Sequence, residues 1–396
     1  MRLTAALLTT AVFFVILTHR ADAATGMFLQ GYGIQEQGMG GASIAAPQTA
    51  EAAATNPAGM GVVGDRVDGA LGILYTRTGA ELNGVDYRAR AGLNPFPEFG
   101  YSHRIRDDLA IGVSVWAAGA GVNYSGAFGK NLFPASSKTS DQLVYVNVAP
   151  TVAYRIAPGQ WIGLSVVTGI GTAYLDGIEG QTGQSNQGRD WAVGAGVRIG
   201  WLGELAPGLT GGAFYATKVY FTPFSKYASI LADGGRVDEP GSFGAGIAYR
   251  PNPATLLAFD YVRYLYADVP ALGNGFPGNG VLGSSGGPGF GWRNQNVFRF
   301  GVSYGLTSRI TVRAGFAEAS SQISSNNTAF SFAAPLTTRH NLTFGATYRL
   351  SSRSDLSFAY GYGFHSAVTG TGTSLNALTS PYSTVSFFAI GYSRKF

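Results

Sequence analysis

The chain has no cysteine among its 396 residues. Disulfides, thiolate nucleophiles and cysteine metal sites are therefore excluded. Charge is also scarce: Asp, Glu, Lys and Arg make up 12%, about half the usual share of a soluble domain. The histidines are His19, His103, His340 and His365, and their spacing pairs none of them as metal ligands. Neither a metal nor a cofactor is expected. The formal charge is +5, but no Lys/Arg cluster is dense enough for a nucleic-acid surface, so nucleic acid is not an expected partner. That mild positive balance suits anionic lipid or carboxylate ligands. Beyond the N-terminus there is no run of the roughly 20 apolar residues that a membrane helix needs.

What is plentiful is glycine, at 58 residues, and aromatic side chains, at 13%. Few charges, many glycines and many aromatics fit a sheet with one face in lipid. At the N-terminus, Arg2 precedes an apolar core from Ala5 to Thr18, and Ala21-Asp22-Ala23 offers small residues for cleavage. Residues 1–23 read as a secretory signal, with a mature start at Ala24.

From Arg66 onward, apolar residues alternate with small or polar ones in about fourteen blocks, an even number as bacterial barrels require. The predicted spans are 66–78, 97–105, 108–119, 142–155, 160–175, 189–202, 208–220, 240–250, 254–267, 293–304, 309–319, 338–350, 354–364 and 383–395. In the clearest, Phe298, Phe300, Val302 and Tyr304 share one face, while Arg299, Gly301 and Ser303 share the other. Short connections such as Ala157-Pro158-Gly159 and Pro251 to Pro253 alternate with long ones such as Ala120 to Asp141 and Asp268 to Trp292. Tight turns at one rim and long loops at the other predict an all-β, antiparallel transmembrane barrel. Closure leaves no free strand edge in hydrocarbon. The chain ends on Phe396 behind Phe388, Ile390 and Tyr392, which is similar to the signal read by the barrel-insertion machinery. Arg394 interrupts that pattern.

Before the barrel lies a stretch without strand rhythm, Gly31-Tyr-Gly-Ile-Gln-Glu-Gln-Gly-Met-Gly-Gly-Ala-Ser43, followed by Asn56-Pro57-Ala58. It resembles the N-terminal hatch of the FadL family, outer-membrane transporters of long-chain fatty acids whose TodX-type relatives admit aromatic hydrocarbons. Gly289 to Gly301, Arg313 to Phe316, and Arg339-His340 with Leu342 to Tyr348 resemble the family as well. The resemblance implies a hatch over 24–65 inside a barrel over 66–396, in the outer membrane of a Gram-negative bacterium. It implies passive diffusion of hydrophobic molecules, with fatty acids or hydrocarbons, outer-membrane lipid and lipopolysaccharide as partners. It also implies that the early mature chain, at Met27 and Phe28, reaches the ligand. Release would be sideways at a kinked third strand, and Gly119 and Gly121 stand either where its pairing breaks or where the long loop begins. A monomer is expected.

The residues themselves suggest further roles. Proline fixes φ and asparagine can bond nearby backbone, so Asn56, Pro57 and Ala58 are read as the gate or as a turn into the first strand. Arg299 and Arg313 face inward by parity and are expected to be diagonal neighbours. Their anion would be a bound carboxylate or a hatch carboxylate, Glu36 or Glu51. Tyr227, Ile230 and Leu231 fall at helical spacing on a loop, either as a capture surface or packed on a neighbour. Gly301-Val-Ser303-Tyr-Gly305 matches a hydrolase pattern but lies within strand alternation. Gly278-Asn-Gly280-Val-Leu-Gly283 matches a dinucleotide fingerprint without the strand and helix it needs. Catalysis is not expected. The rival readings are a general aqueous porin, an outer-membrane lipid hydrolase and an adhesive surface protein.

Overall fold

The computed structural model describes residues 26–130, 138–184, 186–372 and 374–396. The expected export signal, residues 1–23, lies outside the described residues. The strands are β1 (Arg66–Leu82), β2 (Val85–Arg88), β3 (Gly92–Arg106), β4 (Leu109–Asn123), β5 (Ser140–Ala157), β6 (Gln160–Asp176), β7 (Asp190–Ala206) and β8 (Leu209–Ala216). They continue as β9 (Tyr220–Phe221), β10 (Ser242–Asn252), β11 (Thr255–Tyr264), β12 (Gln295–Gly305), β13 (Ile310–Ala319), β14 (His340–Arg349), β15 (Ser354–Ala367) and β16 (Thr379–Lys395).

Each strand pairs antiparallel with its neighbours, and β16 returns to β1 over their full lengths, from Arg66 opposite Lys395 to Leu82 opposite Thr379. β2 only extends the end of β1, and β9 pairs only with β7. Without those two, fourteen strands form a closed ring, and each of the fourteen predicted blocks falls on one of them. The block at 208–220 stops early, at Ala216. The connections sort as expected. Residues 107–108, 158–159, 207–208, 253–254, 306–309 and 350–353 make the turns at one end, and the loops at the other end include 217–241 and 265–294.

Alternation sends one face of each strand outward. On β6, Ile162, Leu164, Val166 and Ile170 are exposed. So are Phe298, Phe300 and Val302 on β12, and Phe388 and Ile390 on β16. Tyr154, Tyr249, Tyr304, Tyr348 and Tyr392 are exposed near the turn end. The other face is buried because a chain segment occupies the interior. Residues 26–61 are buried except at Pro47 and Gln48, which are half-buried. This segment coils through short helical turns at Ile34–Gln37, Ala50–Ala54 and Pro57–Gly61. Those turns touch β14 to β16 on one side and β3 to β7 on the other. Glycine makes the fit possible: a Cβ on Gly315 of β13 would lie 2.0 Å from the backbone nitrogen of Gly40. Only a bare backbone lets wall and segment approach so closely.

Candidate functional site

The interior segment is held by its backbone, and wall side chains do the holding. Asp260 Oδ2 on β11 accepts the N–H of Ser43 at 2.6 Å and of Ile44 at 2.9 Å. Asp68 Oδ2 on β1 accepts Ala50 N–H at 2.7 Å, and Glu98 Oε2 on β3 accepts Gly33 N–H at 3.3 Å. Thr343 Oγ1 accepts Gly40 N–H at 2.8 Å. Ser114 and Arg198 donate to segment carbonyls at Ala50, Ala53 and Thr55. A non-helical backbone buried this deeply must find partners for its N–H and C=O groups. Hydrogen bonds to a charged acceptor contribute about 1.5–3 kcal/mol each.

Two carboxylates of the interior segment are also buried. Glu36 accepts from the backbone of Gln48 and Thr49 and from the Thr49 hydroxyl. Burial raises its pKa in spite of those bonds. The Glu51 carboxyl is pushed well above its ordinary value, first by burial and then by the charges of Asp68 and Glu98. Neither forms an ion pair with Arg299 or Arg313 among the described residues.

The two arginines are not diagonal neighbours. The β12–β13 register sets Arg299 opposite Ala317 and Arg313 opposite Ser303, so they stand four positions apart, roughly 13 Å along the strand. The expectation placed the turn correctly but could not fix the register. Arg299 donates to Gly41 O at 3.3 Å and to the Tyr264 hydroxyl at 3.0 Å. Arg313 donates to Gln35 Oε1 at 2.7 Å, Thr347 Oγ1 at 2.8 Å and Gln48 Oε1 at 3.2 Å. Both therefore lie against the interior segment.

Asn56, Pro57 and Ala58 sit on the opposite side. Asn56 Oδ1 accepts Ala58 N–H at 3.1 Å, capping the turn that Pro57 begins. Its Nδ2 donates to Ile44 O and Trp201 O, both at 2.8 Å. A Cβ on Gly163 would strike the Pro57–Ala58 backbone at 2.3 Å, so β6 and β7 form a close-fitting seat for this tripeptide.

The loop end is different in character. Met27 is fully buried and donates its N–H to the Tyr266 hydroxyl at 3.1 Å. Phe28 stacks on Tyr264, with ring centroids 4.3 Å apart. A cavity of about 60 Å³ lies here, lined mostly by apolar side chains that include Met27, Ala120, Leu143, Leu231, Phe290 and Trp292. Leu231 thus faces the cavity, whereas Tyr227 is fully buried and donates to Gly188 O at 2.6 Å. The stretch predicted as a helix is a single turn, Ser225–Tyr227, continued by bonds from Ile230 and Leu231 back to Tyr227 O. Gly234 and Gly235, both with positive φ, end it within one more turn.

Beside the cavity the wall is broken. β4 pairs with β5 from Leu109 to Asn123. With β3 it pairs only from Leu109 to Val115, opposite Arg106 to Phe99. Contact resumes beyond the break, where Arg90 N–H reaches Asn123 O and Ala89 bridges Tyr124. Gly119 lies inside the gap with φ +152°, where a Cβ would meet Leu143 O at 2.2 Å. Its N–H bonds to Met27 O at 2.8 Å, so the interior segment takes the place of β3 there. Gly121 is also in the gap, paired to Gln142 of β5.

The glycines of the third predicted block mark only one half of the break. β3 carries Pro95 and Pro97. Residues two apart turn their backbone toward the same neighbour, and proline has no N–H to give. The β1–β3 ladder runs unbroken through both prolines, from Arg66 opposite Ser102 to Thr76 opposite Gly92. The missing donors therefore fall on the β4 edge. Prolines two apart in an alternating block were the available signal. Asp68, Glu98 and Asp260 were missed too, although inward-facing carboxylates stand out in a chain so poor in charge.

No family model and no curated protein matches this chain. Solved structures do. The Pseudomonas putida toluene transporter TodX superposes with a TM-score of 0.68 at 17% identity, over 93% of this chain and 99% of that one. The Ralstonia pickettii toluene transporter TbuX gives 0.65 at 19%, over 93% and 99%. A Pseudomonas aeruginosa FadL homologue gives 0.70 at 14%, over 94% and 100%. At these identities the likeness establishes a shared fold, the fourteen-strand barrel.

Proposed function

We propose that this chain is an outer-membrane channel through which hydrophobic molecules, fatty acids or hydrocarbons, pass down their own gradient. The observation that carries the reading is the interrupted β3–β4 seam beside an apolar cavity, above an interior segment tied to the wall. The exposed apolar belt and its tyrosines at the turn end are the outer face of a lipid-embedded barrel, and a patch that size suits lipid rather than water. The short turns would face the periplasm and the long loops the outside, toward lipopolysaccharide. The segment after the export signal is the hatch, and Asn56-Pro57-Ala58 anchors it. Arg299 and Arg313 hold it from the other side. The TodX and TbuX structures carry toluene transporters on the same fold, which supports hydrocarbons as the ligand class.

In this reading a ligand meets Leu231 at the loop end, held in place by the buried Tyr227 and Ile230, enters between Met27, Phe28 and the aromatic wall, and leaves sideways. A cavity of about 60 Å³ is smaller than the 150 Å³ cavity that holds benzene. Met27 and its neighbours must therefore yield for a ring to pass, and the Gly119–Met27 bond is the latch that opens. Gly119 and Gly121 let β4 lie close against β5 at this point, where a Cβ would meet Leu143 O and Asp141 O. Phe396, behind alternating apolar residues, would address the chain to the insertion machinery, and the barrel would work as a monomer. Expression in cells without their own channel tests the reading. Accelerated uptake of oleate or toluene supports it, and uptake equal to the empty-vector control rejects it.

A further inference from the structure

A second cavity, of about 590 Å³, lies at the turn end beneath the hatch. Its lining is polar and includes six cations: Arg66, Arg250, Arg309, Arg313, Arg349 and Lys395. Few carboxylates oppose them. Asp68 is gripped by Arg66 at 2.7 Å. Asp355 is shared between Lys395 at 3.4 Å and Arg349 at 4.0 Å. Glu36, in the hatch above, commits both oxygens to Gln48 and Thr49.

Arg313 is the centre of the imbalance. Only 7% exposed, it bonds the neutral oxygens of Gln35, Gln48 and Thr347. No carboxylate lies within 4.0 Å of it among the described residues. Burying a cation without a counter-charge is costly. Thr347, which Arg313 touches, and Arg349 stand two apart on β14, and Arg349 is opposite Asp355 of β15. The register thus puts Arg313, Arg349 and Lys395 in one group. A concave cleft of excess positive charge between low-dielectric protein walls focuses its field on anions, and guanidinium groups match oxyanions in paired hydrogen bonds.

We propose that this cavity binds a small oxyanion carrying two or more negative charges, of phosphate or polycarboxylate chemistry, among Arg313, Arg349 and Lys395. The chemistry of the site stands apart from the transport reading, which supplies only the compartment, the periplasm. The anion could come as a free solute or as the head of an amphiphile.

Calorimetric titration of the full chain in a maltoside detergent tests the site, with pyrophosphate as the free probe and decyl phosphate as the amphiphile. One saturable site is expected, at least 10-fold weaker in Arg313→Gln. The exposed pair Arg349→Gln/Lys395→Gln should weaken it similarly if Arg313→Gln fails to fold. Arg77→Gln/Arg88→Gln, at the far end of the barrel, should leave it unchanged. Tighter pyrophosphate points to a solute, and tighter decyl phosphate to an amphiphile head. No saturable binding of either probe, or equal losses from the two exposed pairs, would overturn the proposal.

Discussion

The two edges of β4 carry the same residues and behave differently. Toward β5 every position from Leu109 to Asn123 is paired, and toward β3 pairing stops at Val115. The strand itself is therefore sound, and the break belongs to the seam. It is made by what faces β4 on that side, Pro95 and Pro97, and it is bridged by Met27 of the interior segment. A free strand edge is costly in lipid, and the Met27 carbonyl covers this one at Gly119. The paired edge, in contrast, has a fixed polar lock: Asn147, opposite Trp116, donates to Glu239 Oε2 at 2.7 Å.

The largest effect should come from removing the cover. Deletion of residues 26–61 should turn the barrel into an ion-conducting pore in planar bilayers, whereas conductance as low as the intact protein's would mean that other elements seal the lumen. Next, Ala120→Trp fills the cavity from β4 and should lower ligand uptake toward the empty-vector level. Leu257→Trp, on the outer face, should not.

Loosening the interior segment at a distance comes third. Asp260→Ala leaves the Ser43 and Ile44 amides without their acceptor, at about 3 kcal/mol for two charged bonds. Their hydrogen exchange should quicken while β5 amides stay protected. The smallest effect lies on the paired edge. Burial pushes the Glu239 carboxyl up to about 7, against about 4.3 in an unfolded chain. Between those values the folded state keeps a proton that the unfolded state has lost, so stability should fall as pH rises from about 4.3 to about 7 and then level off. Glu239→Gln should flatten that slope of the thermal midpoint.

The ring was readable because strand parity, turn chemistry and loop length all report the same architecture, block by block. What stayed hidden depends on pairing between strands. Alternation tells which face a residue takes, but not which neighbour its N–H meets, so Pro95, ahead of the predicted block at 97–105, and Pro97, its first residue, did not show which edge they leave without donors. Parity turned Arg299 and Arg313 inward, but the β12–β13 register separated them. The interior segment stood out because it lacks period two. Its fastening did not, because the wall grips backbone groups, which every residue carries alike. The stripe at Tyr227, Ile230 and Leu231 had helical spacing, yet nearby glycines cut it to one turn.

The most direct test ties the open seam shut. The chain has no native cysteine, so Pro97→Cys with Ala117→Cys places two unique thiols across the gap for a reducible cross-linker. Uptake of hydrophobic ligand should stop when the seam is cross-linked and return on reduction. Undiminished uptake through a fully cross-linked seam would contradict lateral release.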